Sequence, residues 1–163
     1  MEMQHNEKHP RKPMDNTMYK KLAFMILLSF AAMYILMYAM VNTFSNAVPN
    51  VNQFYMAGLM SMPMLIIELA VMGNMYMKKK WNLAIMGIGV VALTGFFFCI
   101  REQAGVTDRQ FLRSMIPHHA AAILMVQNAK LSDPEVIQLG KNIVSGQQAE
   151  IERMKIKLKE IEK

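Results

Sequence analysis

The stretch DRQFLRSMIPHHAAAILM, residues 108–125, decides how this chain is read. Two adjacent histidines, His118 and His119, stand between Met115 and Met125 on a pattern of apolar residues at helical spacing. Thr107 offers an N-cap, and Gln110 three residues on completes a capping-box pattern. The helix is predicted to run to about Lys130. Ser132 and Glu135 then repeat the start signal, with Pro134 in the first turn, where its missing N–H is harmless. A second helix follows, so the two form an antiparallel hairpin with a turn of about two residues.

The second helix carries a heptad seam: Ile137, Gly140, Val144, Gln147, Ile151, Met154, Leu158 and Ile161. Counting outward from the turn places residues 115–119 across from residues 144–148, so the one polar seam residue, Gln147, is expected to face the histidines. On the first helix, Met115 and Ala122 are centred on the buried side. Asp108, Leu112, His119 and Val126 lie on one flank, and Phe111, His118 and Met125 on the other. Neighbouring helical residues point about 100° apart, so the two histidines do not chelate one ion as an i, i+4 pair would. One looks into its own hairpin, the other toward a second helix pair. Pro117 removes the hydrogen bond to the Arg113 carbonyl and predicts a kink just before them.

Upstream, the apolar content comes in blocks. Residues 22–41, 55–77 and 82–100 are almost free of charge, and each is long enough to cross the roughly 30 Å of a bilayer's hydrocarbon core. The expected fold is all-α: a polar tail over residues 1–20, three transmembrane helices over 21–103, and the hairpin over 104–163. The first block begins too late, runs too long and lacks an A-x-A-like site, which favours a retained anchor over a cleaved signal peptide.

The formal charge of +6 is topological information rather than a sign of a nucleic-acid partner. Lys8, Arg11, Lys12, Lys20 and Lys21 precede the first block, residues 42–54 carry no charge, and Lys78, Lys79 and Lys80 follow the second. Positive-inside bias puts the N-terminus in the cytoplasm and Arg101 onward outside, in the periplasm if the membrane is a bacterial inner membrane. Cys99 is the single cysteine, so neither a disulfide framework nor a thiolate cage is available. The tail holds Pro10 and Pro13 and is expected to be loosely tethered, and the spacing of Glu2 and His5 there is read as chance.

Within the blocks, Met33, Met37 and Met40 recur at helical spacing, and Met56, Met60, Met64, Glu68 and Met72 follow at intervals of four. Methionine at such positions is ordinarily a flexible apolar filler. Glu68 is different, because an ionisable group near mid-membrane is costly. It is either an ion contact or gate, with Met64 and Met72 beside it, or a protonated carboxyl bonded to a neighbouring helix. Pro63 is expected to bend this helix, and Tyr55, Tyr76 and Trp81 fit interfacial belts.

Imidazole and thioether without thiolate suit Cu(I) or Ag(I), with Cu(II) open through His and carboxylate. Met115, His118, His119, Met125 and Met154 are the candidate donors, and Asp108, Gln147 and Glu150 the groups that could orient a ring. Taken singly, a core histidine bonded to Gln147 or a methionine at a heptad position is ordinary packing. Their convergence at one level is what raises the metal reading. An enzyme is not expected, since the hairpin has neither a helical Glu-x-x-His nor a Ser-His-acid set.

The string M-I-P-H-H from Met115 to His119, the A-I-x-M of Ala122, Ile123 and Met125, Asp133 with Pro134, and Q-x-x-E-I-x-x-M from Gln147 through Glu150 and Ile151 to Met154 resemble the family known as domain of unknown function 305. Residues 55–80 are similar to its membrane-anchored members. The resemblance implies a ferritin-like helical fold, export from the cytoplasm and, in some members, copper or silver binding through Met and His. A single hairpin is half of such a four-helix bundle and leaves apolar surface open, so pairing into a homodimer or higher oligomer is expected. The function expected is a membrane-anchored protein that sequesters or hands over copper or silver. The alternative is a structural or interaction module whose His pair sits in a buried polar network.

Overall fold

A computed structural model describes residues 15–76 and 78–163. The tail residues Glu2 and His5, and Met77 at the end of the second block, lie outside them. All regular structure among the described residues is helical: α1 (Asp15–Leu36), α2 (Val51–Met72), α3 (Lys79–Arg101), α4 (Asp108–Asn128) and α5 (Pro134–Ile161). Short 3-10 turns at Met37–Met40, Phe44–Asn46 and Gly73–Met75 extend or join the first three. Three segments, Thr17–Met40, Val51–Met75 and Lys79–Arg101, are long and apolar enough to cross a membrane. Large side chains on them face outward, Leu27 at 69% exposure and Leu83 at 73%, which suits lipid tails better than water.

Helix α2 lies between α1 and α3 and approaches α3 closely through small residues. A Cβ at Gly58 would sit 2.5 Å from the Phe96 ring, and one at Gly89 would sit 3.2 Å from Ile66. Pro63 lies inside α2, which stays helical through it. At the lysine-rich end, Leu22, Leu65, Leu69 and Tyr76 form a core. Tyr19 donates to Asn82 Oδ1 at 2.6 Å, and the Asn82 amide donates to the Tyr76 carbonyl at 3.2 Å and the Gly73 carbonyl at 3.3 Å, tying α1 to the α2–α3 connection. Tyr76, just past the end of its segment, is buried here and donates to Glu68 at 3.2 Å. Glu68 therefore sits toward the lysine end of its segment, not at its middle.

The opposite end carries the helix pair. Tyr38 donates to the Val48 carbonyl at 3.1 Å, and Asn50 caps α2 by accepting from the Gln53 N–H at 2.9 Å. On the connection so shaped, Val41 and Val48 pack against a second core of Ile116, Ala120, Ile123 and Ile151. Gln103 and Gly105 take left-handed backbone (φ 49° and 68°) and turn the chain from α3 into α4. The capping box expected there does not form. Thr107 makes no side-chain cap bond, and Gln110 accepts from the Val51 N–H at 3.2 Å, joining the starts of α4 and α2. Tyr55 adds a bond to the Ala104 carbonyl at 2.8 Å.

Helices α4 and α5 pack along their lengths, Arg113 meeting Glu162, His119 meeting Glu150, and Gly140 lying where a Cβ would come within 2.9 Å of Val126. The partner number falls as the α4 number rises. The connection is longer than the expected pair of residues: α4 ends at Asn128, and Ala129 and Asp133 are extended. The added length shifts the register, so residues 115–119 face residues 150–154 instead of 144–148. Burial differs too. Ile116, Pro117, His119, Ala120 and Ile123 are the buried residues of α4, while Met115 and Ala122 are half-buried, because α4 is covered by α5 on one side and by the α1–α2 connection on the other. On α5 the seam holds from Ile137 to Leu158, but Ile161 is 42% exposed.

The start of α5 also moves by one residue: Asp133, not Ser132, is the cap, its Oδ1 accepting from the N–H groups of Glu135 at 2.8 Å and Val136 at 3.1 Å. Asp133→Ala is expected to cost about 1 kcal/mol, while Ser132→Ala leaves stability unchanged. Thermal melts of the detergent-solubilised protein check this, and equal losses from both variants would return the cap to Ser132.

Candidate functional site

His119 is positioned from both of its ring nitrogens. Nδ1 lies 2.8 Å from the Met115 carbonyl one turn back, and Nε2 lies 2.8 Å from Glu150 Oε2 on α5. A carbonyl only accepts, so Nδ1 carries the donated proton, and Nε2 faces the Glu150 carboxylate. His119, 8% exposed, acts as a clasp between the helices, with both ring nitrogens engaged in this arrangement.

His118 has the opposite situation. About 100° further round the helix, it is exposed, and its ring makes no hydrogen bond among the described residues. The two rings stand 6.0 Å apart, edge to face. Each histidine therefore belongs to its own cleft. His119 borders an open cleft of about 290 Å³ with Phe111, Met115, Glu150, Arg153 and Met154. His118 borders one of about 420 Å³ between α4 and the ends of α1 and α2, lined by Met37, Met40, Asn50, Asn52, Gln53, Met56, Ser114, Met115, Pro117 and Ala121.

The expected donors are thus divided. Met115 walls both clefts, Met154 joins only the His119 side, and Met125, 55% exposed, lines neither. Glu150 holds His119 as an orienting group. Gln147 does not: its Oε1 is buried with no hydrogen-bond partner, because the shifted register brings Glu150 to the ring in its place. Asp108 lies in the first turn of α4, about three turns from His119, and lines neither cleft. Among the intramembrane candidates, Met64 and Met72 are each 37% exposed, and Glu68 accepts from Tyr76 on the connection that follows its own helix. Among the described residues no three His, Cys, Asp or Glu side chains are grouped to hold an ion, so any metal reading rests on sulfur.

Sequence reasoning passed over Met37, Met40 and Met56, taking them for packing. A signal was present: all three flank the uncharged 42–54 connection, and the two apolar helices between it and Arg101 would, if both cross a membrane, bring the two to the same side.

The family model described as a domain of unknown function, DUF305, matches residues 100–158. The uncharacterized protein L153 of Acanthamoeba polyphaga mimivirus is 32% identical over 148 residues, covering 86% of this chain and 91% of that protein. That similarity extends well beyond the matched domain into the apolar helices. No solved structure matches the chain significantly.

Removing the His119 clasp should cost stability where removing His118 does not. Glu150→Ala is expected to lose about 0.5–1 kcal/mol, a modest figure because the carboxylate is partly exposed, and His118→Ala almost none. Paired thermal melts decide it, and indistinguishable melting temperatures for the two variants would remove the distinction.

Proposed function

The chain belongs to the DUF305 family, and from its two clefts we propose that it is a membrane-anchored protein that binds a soft monovalent cation, Cu(I) or Ag(I), to sequester it or hand it on. The family name supplies no activity, so the reading rests on donor chemistry. Its main support is that Met115 stands between two clefts, one holding an unbonded imidazole at His118 and the other the thioether of Met154 beside His119. Thioether and imidazole together favour soft ions over Mg²⁺ or Ca²⁺, which take oxygen ligands. Met115 is the shared donor proposed, with His118 in one cleft and Met154 in the other, Met125 an outer contact, and His119 with Glu150 either a ligand pair once the carboxylate turns away or the support that orients α4. Asp108 and Gln147 have no direct part in holding the ion.

The placement proposed is a bacterial inner membrane, with the lysine-rich end and N-terminus cytoplasmic and α4 with α5 periplasmic, as the charge bias favours. Helices α4 and α5 are read as half of a ferritin-like four-helix bundle. Leu139 at 58%, Ile156 at 60% and Val136 at 45% exposure are the apolar surface that a second copy would cover. Crosslinking of the full chain in detergent should give dimers through α5, and a purely monomeric product would count against the bundle.

A second reading has its own observation. The His119–Glu150 contact by itself explains one histidine as a structural clasp, so a packing element on a membrane anchor accounts for half of the motif. Metal titration separates the two. The full-length protein is expected to bind Ag(I) and Cu(I), and Met115→Ala or His118→Ala to weaken binding about tenfold or more, since even outer-shell losses reach that size. Absence of binding by the folded wild type would leave the structural reading.

A further inference from the structure

Methionines at the end of the apolar helices, outside the matched domain, share the His118 cleft. We propose that the soft ion is held in that cleft, between the helix pair and the membrane-length helices, by Met37, Met40, Met56, Met115 and His118. This deepens the metal-binding reading and depends on it.

The geometry is built by three separate elements. Met37 and Met40 are the first and last residues of a 3-10 turn at the end of α1. With about three residues per turn, positions i and i+3 eclipse, so both sulfurs come to one side. An α-helical continuation would instead have set them about 60° apart on one face. Met56 lies in the second turn of α2, and Met115 and His118 lie one turn apart on α4, on the face that overlies the α1–α2 connection. The docking of α4 through Val41, Val48 and the Gln110 to Val51 bond brings the three elements to the same cleft.

What sets these methionines apart is their shared cleft: Met37 is half-buried, while Met40 at 50% and Met56 at 39% exposure open onto the same space as Met115 and His118. The cleft is also uncharged: its lining includes no Asp, Glu, Lys or Arg. A divalent ion would enter without a carboxylate to offset its desolvation, a cost that rises steeply with charge. A monovalent ion with neutral sulfur and imidazole donors avoids most of that cost. Asn52, which also lines the cleft, has a buried side-chain oxygen with no hydrogen-bond partner. An ion in this position would join α1, α2 and α4, so binding would also stiffen the attachment of the helix pair.

The test uses the full-length protein in detergent, with Ag(I) measured by calorimetry and Cu(I) by competition with a chromogenic chelator. Met37→Leu, Met40→Leu and Met56→Leu together keep volume and remove sulfur. The triple variant is expected to lose about tenfold or more in affinity for both ions and to lose the rise in melting temperature that Ag(I) gives the wild type. Met40→Leu alone, at a half-exposed position, serves if the triple variant does not fold, and is expected to show a smaller loss in the same direction. Wild-type affinity in the folded variants, with Met115→Ala or His118→Ala still impaired, would overturn this site and leave the metal-binding reading standing. A wild type that binds neither ion overturns both.

Discussion

The contact on which the rest depends is small and apolar: Val41 and Val48, on the connection between α1 and α2, packed against Ile116, Ala120, Ile123 and Ile151. Burying these side chains against one another offsets the cost of fixing a connection that bears no charge and little regular structure. The connection can then use its polar groups internally, Tyr38 on the Val48 carbonyl and Asn50 on the Gln53 N–H. With it fixed, α4 is held against the ends of α1 and α2, and the floor of the His118 cleft exists. Without this contact the helix pair would be held only by the turn at Gln103 and Gly105 and the hydrogen bonds of Gln110 and Tyr55.

Covering α4 on two sides has a direct effect on its chemistry. A helix buried on one stripe would let adjacent histidines straddle a seam as near equivalents. Here α5 takes one and the α1–α2 connection borders the other, so a difference of one residue becomes a difference in kind. His119 has both ring nitrogens engaged, by the Met115 carbonyl and the Glu150 carboxylate. His118 keeps its nitrogens unbonded beside methionines from another part of the chain. Met115, between them, is the residue through which the clasp and the open ring are mechanically linked. Its carbonyl holds one histidine while its side chain walls both clefts.

Much of the helical architecture was legible because its causes are local. Long uncharged runs can satisfy their backbone only as helices in an apolar medium, and three such helices are present. Proline at the first turn of α5 marked its position for an equally local reason. Failures fell where two local signals competed or where a distant group intervened. Ser132 and Asp133 are neighbours with the same capping ability, and only the path of the chain through residues 129–133 selects Asp133. Gln110 had the spacing of a capping partner, yet its amide oxygen is taken by a backbone N–H from α2. Glu68 was placed by counting along its segment, but its partner Tyr76 comes from the connection that follows.

Sequence alone determined that the chain is helical, that three of its helices are long and apolar enough for a membrane, and that imidazole and thioether groups concentrate near residue 118, since each of these follows from composition and short-range periodicity. Tertiary structure decided which carboxylate meets His119, which histidine stays open, and that Met37, Met40 and Met56 share a cleft with His118. The reason is geometric. A connection longer by a few residues shifts α5 against α4 by well over a turn, and the approach of α4 to the α1–α2 connection is set by the packing of residues that are remote in the chain and silent in any local pattern.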